Sequence, residues 1–129
     1  MIEKELTMAK ILLVEDDDQL RTMLKLLLTS FGHEVWEAPN GRRVCDMHQQ
    51  QRFDLVITDL VMPDKEGLEV IMGLRRTDQN VPIIAMSGMG QGRAEEYLRI
   101  TQNLGAQLTL SIPFGEQEFL GAVCLALET

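Results

Sequence analysis

The sequence lacks three features that would point to a secreted, membrane-bound or nucleic-acid-binding protein. Its two cysteines are too few for the disulfide framework of a small secreted domain, so we expect a reducing, cytoplasmic compartment. No apolar run approaches the roughly 20 residues that span a bilayer, and the polar residues 1–7 do not resemble a signal segment. Positive charge is scarce, because 12 Lys and Arg face 20 Asp and Glu. A net charge of -8 argues against nucleic acid and anionic membrane surfaces as partners.

The length and balance of residue types indicate one globular domain. The chain has 129 residues, of which 45% are hydrophobic and 25% are charged. A domain of this size buries enough surface to fold without disulfides or a structural metal. We find no internal repeat and no low-complexity linker. We therefore expect a loose lead-in over residues 1–8 and a single domain over residues 9–129.

Short apolar runs alternate with segments of helical periodicity. Unbroken runs of strand length are typical of strands covered on both faces, as in parallel sheets. Strict alternation after residue 106 predicts a half-buried strand. The candidate strands are residues 11–14, 34–38, 55–57, 81–86 and 107–112, and apolar stripes of helical spacing run through residues 20–31, 41–50, 68–75, 94–104 and 119–127. This alternation predicts an α/β fold, a doubly wound five-stranded parallel sheet of (βα)5 type.

Acidic side chains follow two of the predicted strands. Residues 15–18 (EDDD) end the first strand, Asp59 ends the third, and Ser87 ends the fourth. The carboxyl ends of parallel strands share one edge of the sheet, so Glu15, Asp16 and Asp59 should lie close together. Carboxylates at close range repel one another, and a hard cation such as Mg²⁺ compensates them with oxygen ligands. Asp17 and Asp18, by contrast, need no role beyond capping the following helix.

These segments resemble the receiver domain of two-component response regulators. The resemblance rests on ILLVEDD at residues 11–17, DLVITDLVMP at residues 54–63 and GLE at residues 67–69, and it covers about residues 8–127. Each motif alone is weak, but the set at this separation is specific. The resemblance implies a flavodoxin-like sheet of strand order 2-1-3-4-5, in which residues 9–129 form the receiver domain.

The resemblance also implies a role for each site residue. Asp59 would be the phosphoacceptor for a sensor histidine kinase or phosphotransfer protein. Asp16 and Asp59 would bind Mg²⁺, with Glu15 in support and the backbone carbonyl of Val61 as a further ligand. The hydroxyl of Ser87 would contact the phosphoryl group. Positioning and charge neutralisation are what phosphoryl transfer chiefly needs.

Two positions depart from the family's pattern. The family usually carries Lys before the Pro that follows the fifth strand, and this position is Ile112. Its switch aromatic is replaced by Thr109. Both changes should weaken the coupling between the phosphoryl group and the fifth strand. Lys65 or Arg93 is a hypothetical substitute cation, although a solvated side chain explains either residue equally simply. The family's equivalent of the bond before Pro113 is usually cis.

Three functions are compatible with these residues. We expect a single-domain response regulator, a phosphoprotein that acts through contact with an unknown downstream protein. It would be no enzyme beyond Mg²⁺-assisted self-phosphorylation and autodephosphorylation. The alternative is a phosphate-insensitive interaction module whose switch is broken at Thr109 and Ile112. A third hypothesis, a haloacid-dehalogenase-like phosphohydrolase, would use Asp16 as nucleophile and lacks a convincing later Lys.

The cysteines and histidines carry no metal-site or redox spacing. Cys45 and Cys124 have no CxxC or His partner, so we expect buried free thiols. His33 and His48 are isolated in the sequence, and we assign neither a role as metal ligand or phosphocarrier.

Overall fold

Five strands alternate with five helices in the structure, a computed structural model that describes residues 8–60, 66–88 and 93–128. The predicted lead-in falls almost wholly outside these residues. The strands are β1 (Lys10–Val14), β2 (Glu34–Ala38), β3 (Leu55–Asp59), β4 (Ile83–Ser87) and β5 (Leu108–Ser111). The helices are α1 (Asp18–Ser30), α2 (Val44–Gln51), α3 (Glu66–Thr77), α4 (Arg93–Leu104) and α5 (Glu116–Glu128).

The strands form one parallel sheet of order β2-β1-β3-β4-β5, which confirms the predicted fold class and strand order. The register aligns Val14 with Thr58 and Asp59 with Met86. The carboxyl ends of β1, β3 and β4 therefore meet at one edge of the sheet.

The sheet separates two apolar clusters. Helices α1 and α5 cover one face with side chains that include Leu28 and Phe119. Helices α2 and α3 cover the other face, where Val44 and Ile71 pack against the strands. The central strands are buried on both faces, which explains their unbroken apolar sequence. No helix among the described residues is long and apolar enough to cross a membrane.

Some local predictions were wrong. Both cysteines were expected to be buried, but Cys45 is half-buried and Cys124 is exposed. Cys124 is exposed because α5 turns Phe119 and Val123 towards the core instead. The predicted stripe of α1 included Met23, which is 48% exposed. Strand β4 begins at Ile83 rather than at residue 81, after a proline that has no N–H to donate to the ladder. By contrast, the bond between Ile112 and Pro113 is cis, as the family resemblance implied.

His48 ties α2 to the end of α3. Its ring is 1% exposed, and its Nδ1 accepts a hydrogen bond from the backbone N–H of Phe53 at 3.1 Å. The Nε2 atom therefore carries the proton of the neutral ring and donates to Asp78 Oδ2 at 2.8 Å. Asp78 Oδ1 accepts from the backbone N–H groups of Asn80 and Val81. The bond from His48, followed by those from the backbone, lowers the pKa of Asp78.

Asp78→Asn should destabilise the fold at neutral pH by about 1–3 kcal/mol. The amide either turns its NH₂ towards the N–H of His48 or gives up its backbone hydrogen bonds. Because folding lowers the pKa of Asp78, its stabilisation is complete above the unfolded-state pKa and is lost as pH falls through the folded-state pKa. Urea unfolding of both proteins between pH 7 and pH 3 should show the difference shrinking in the acid range. A constant difference would contradict the assignment.

Gly67 allows α3 to approach the end of β3 closely. A Cβ at this position would lie 2.8 Å from Leu60 Cα and 2.9 Å from the carbonyl oxygen of Asp59. Gly67→Ala should therefore destabilise the fold by about 1–3 kcal/mol, because backbone atoms must shift. Gly121 in α5 is the matched control, since a Cβ there meets nothing within 4 Å. Gly121→Ala should be neutral or stabilising, and equal melting temperatures for the two variants would contradict this close packing.

Candidate functional site

Hydrogen bonds donated by backbone N–H groups hold the loop after β1. The N–H of Glu15 donates to the carbonyl of Ala38 at 3.0 Å, which extends the pairing of β1 with β2 by one residue. The N–H of Asp17 donates to Glu15 Oε2 at 3.0 Å. Asp17 Oδ1 accepts from the N–H groups of Gln19 and Leu20 and caps α1. Asp17 therefore caps α1, a role for which the sequence alone did not distinguish Asp17 from Asp18.

Three carboxylates meet beside this loop. Glu15, Asp16 and Asp59 each place an oxygen so that all three atoms lie within 4.8 Å of one another. Glu15 and Asp59 are 1% and 4% exposed, whereas Asp16 is open to solvent. The structure therefore brings together the acids from the ends of β1 and β3 that the parallel sheet was expected to align.

Burial and the neighbouring carboxyls make the charged form of Glu15 unfavourable. Burial, reinforced by the neighbouring carboxyl of Asp59, raises the pKa of Glu15 to about 8. Glu15 Oε1 is buried and has no hydrogen-bond partner among the described residues. An acceptor oxygen in this position costs free energy unless a proton or a cation meets it. The donor set consists of hard carboxylate oxygens, which fits Mg²⁺ rather than a softer metal.

A shallow cavity of about 460 Å³ opens over the cluster. Its floor is acidic, and its wall carries two aliphatic side chains, Leu20 and Ile112. The described residues that line it include no Lys, Arg or His: they are Glu15, Asp16, Asp17, Leu20, Asp59, Gly88 and Ile112. Ile112 also packs against the core cluster beneath α1 and α5. Ile112 therefore joins the apolar core to the wall of the cavity.

Ser87 and Thr109 lie on the neighbouring strands. Ser87 is the last residue of β4 and is 1% exposed, and its carbonyl accepts the N–H of Ile112 at 2.8 Å. Thr109 is half-buried in β5, opposite Ala85. Ser87 follows Met86, the cross-strand partner of Asp59, so it belongs to the same edge as the acids.

Several predicted features lie outside the described residues. These include the carbonyl of Val61 and the candidate cation Lys65. The side chain of Arg93 is also outside them, although its backbone begins α4. Arg21 also lies at the site, although nothing in the sequence predicted it, and its guanidinium donates to the carbonyl of Glu15 at 2.7 Å. No local motif distinguishes that arginine from other charged residues on the exposed face of an amphipathic helix.

Comparison with known proteins gives one consistent family. The family model for the response regulator receiver domain matches residues 11–124. Sporulation initiation phosphotransferase F of Bacillus subtilis is 29% identical over 88% of this chain and 90% of its own length. The transcriptional regulatory protein AfsQ1 of Streptomyces coelicolor is 44% identical over 62% of this chain, a match that spans 35% of that protein.

Solved structures agree with the sequence comparison. A putative response regulator from Chloroflexus aurantiacus superposes with a TM-score of 0.85, at 26% identity, over 95% of this chain and 100% of that one. The chemotaxis protein CheY4 of Vibrio cholerae superposes with a TM-score of 0.81, at 28% identity, over 94% of this chain and 100% of that one. With the acidic cluster at the expected edge of the expected sheet, this chain belongs to the response regulator receiver domain family.

Proposed function

We propose that this protein accepts a phosphoryl group on Asp59 in a Mg²⁺-dependent reaction, with a histidine kinase or a phosphotransfer protein as donor. The observation that carries the proposal is the convergence of Glu15, Asp16 and Asp59 within 4.8 Å, where the buried Oε1 of Glu15 has no hydrogen-bond partner in the part of the chain that the structure describes. Such a cluster is costly in an apolar sheet unless a cation is bound during part of the functional cycle.

The proposed reaction is a direct phosphoryl transfer. A carboxylate oxygen of Asp59 attacks the phosphorus of the donor's phosphohistidine, and the P–N bond breaks. The bonding electrons remain on the imidazole nitrogen, which takes up a proton, and Asp59 becomes an acyl phosphate. Bound Mg²⁺ supplies charge neutralisation for the transferring group. Asp16 and Asp59 would hold the cation, with support from Glu15 and the carbonyl of Val61.

The surroundings of Asp59 suit a nucleophile better than those of Asp16. Asp59 is 4% exposed and is the last residue of a strand buried along its whole length. The next N–H, that of Leu60, donates to the carbonyl of Met86 at 2.7 Å and keeps the chain in the ladder. Asp16 lies in an exposed loop. These differences, together with the family assignment, argue against the phosphohydrolase hypothesis with Asp16 as nucleophile.

Signalling through protein contact completes the proposal. Residues 9–129 form the receiver domain, which acts in the cytoplasm and binds a downstream protein rather than nucleic acid. The hydroxyl of Ser87, at the same edge of the sheet, contacts the phosphoryl group. No catalytic turnover beyond self-phosphorylation from small donors and autodephosphorylation is proposed. The relative AfsQ1 is called a transcriptional regulatory protein, but this chain matches only about a third of its length, so that activity is not carried over to this chain.

A second function is favoured by the side chain of Ile112. An aliphatic residue packed against the core and lining the cavity supplies no ammonium to a phosphoryl group. The missing charge pair amounts to about 1–4 kcal/mol at intermediate dielectric. If this loss disables the switch, the protein would be a receiver-like module that binds its partner irrespective of phosphorylation. Thr109 would add to the loss, because it cannot act as a rotating aromatic.

Intact-mass spectrometry with acetyl phosphate and Mg²⁺ tests the phosphoacceptor. The wild type should gain one phosphoryl group, because the acid cluster with its cation places Asp59 for attack. Asp59→Asn should gain none, since the amide is a poor nucleophile. Chelation of Mg²⁺ with EDTA should abolish the adduct in the wild type.

The matched control is Asp46→Asn, the same substitution at an exposed position in α2. It should be labelled like the wild type. An adduct that persists in Asp59→Asn would contradict Asp59 as the acceptor. No adduct with acetyl phosphate or with a phosphorylated phosphotransfer protein would favour the phosphate-insensitive module.

A further inference from the structure

Arg21 bridges three segments around the acidic cluster. Its side chain is 15% exposed, and each guanidinium nitrogen donates to a different acceptor. Nε donates to Glu37 Oε1 at 3.1 Å, Nη1 to the carbonyl of Glu15 at 2.7 Å and Nη2 to Asp18 Oδ1 at 2.6 Å. The acceptors lie on β2, on the loop after β1 and at the start of α1.

Arg21 holds one end of the short loop that carries Asp16, and other hydrogen bonds hold its second end. Glu15 is held through its N–H by Ala38 and through its carbonyl by Arg21. Asp17 is held through its N–H by Glu15 Oε2, while its own side chain caps α1. Asp16 lies between two anchored neighbours, so its position relative to Asp59 depends on those anchors.

The anchor on β2 is itself firmly ionised. Glu37 accepts from Lys25 Nζ at 2.9 Å as well as from Arg21, and these hydrogen bonds, that of Lys25 first, lower the pKa of Glu37. Among the described residues around the site, Lys25 pairs with Glu37 and not with the loop after β1. Glu37 therefore pairs with two cationic side chains, and of these two only Arg21 also contacts the loop after β1.

We propose that Arg21 is a positioning residue for the cation site, holding the loop of residues 15–17 so that Asp16 and Glu15 stay within ligating distance of Asp59. This inference rests on the proposed function, since it assumes that the cluster binds a divalent cation. Mutual repulsion of the acids favours an open loop, and three directional hydrogen bonds from one planar group oppose that opening.

Charge and positioning predict opposite results for the loss of Arg21. A guanidinium near the cluster repels a divalent cation, so its removal would tighten binding if charge were its only contribution. If the guanidinium holds the loop, its removal should weaken binding. Groups that orient metal ligands commonly affect affinity by about 10- to 100-fold.

Mn²⁺ binding measured by the EPR signal of the free ion separates these cases on the purified full-length chain. Arg21→Met should weaken Mn²⁺ binding about tenfold. Arg21→Lys should also weaken it, because an ammonium retains the charge but cannot donate along the three directions of the guanidinium. The control Lys25→Met, which removes the other cation on Glu37, should bind Mn²⁺ like the wild type. Circular dichroism and thermal melts without metal establish that each variant is folded.

The outcomes are distinct. Unchanged or tighter Mn²⁺ binding by Arg21→Met overturns the positioning role while leaving the cation site intact. If that variant does not fold, Arg21→Lys decides, and wild-type affinity in Arg21→Lys overturns the role. A weakening of equal size in Lys25→Met also overturns it, since the effect would then follow from Glu37 alone. A wild type that binds no Mn²⁺ overturns the proposed Mg²⁺ site and this inference together.

Discussion

Mutual repulsion among three carboxylates at one edge of an apolar sheet is the constraint around which this molecule is organised. Glu15 and Asp59 are almost completely buried, and burial beside another acid raises the pKa of Glu15 to about 8. A fold that only needed stability would place apolar or paired side chains there. The unfavourable cluster persists because the strand ladder and the close approach of Gly67 leave the end of β3 little freedom to move.

The sheet supplies the rigidity that this arrangement requires. Both apolar clusters pack against the central strands, so β1 and β3 are held from two sides. The loop after β1 is shorter and more exposed than the strands, and hydrogen bonds rather than packing determine its position. The wall of the site differs from its acidic floor, because Ile112 extends the apolar core to the cavity.

Local patterns predicted the elements, and non-local contacts explain most of what they missed. The apolar runs of β1, β3 and β4, and the acids at the ends of β1 and β3, are read directly from consecutive residues, and parallel topology then aligns them. His48 looked isolated because its partner Asp78 lies 30 residues away. Arg21 carries no sequence signal because Glu37, its acceptor on β2, is brought near only by folding. Cys124 was predicted to be buried only because it has no CxxC or His partner, whereas the apolar stripe through residues 119–127 already pointed Phe119 and Val123, not Cys124, at the core.

The central claim is that Asp16 and Asp59 share one divalent cation. Crystals grown in Mn²⁺, with data collected near the manganese absorption edge, test it directly. A shared cation would give one anomalous difference peak at coordination distance from a carboxylate oxygen of Asp16 and one of Asp59, with Glu15 beside it. Strong manganese peaks elsewhere on the protein and none between these two carboxylates would contradict it.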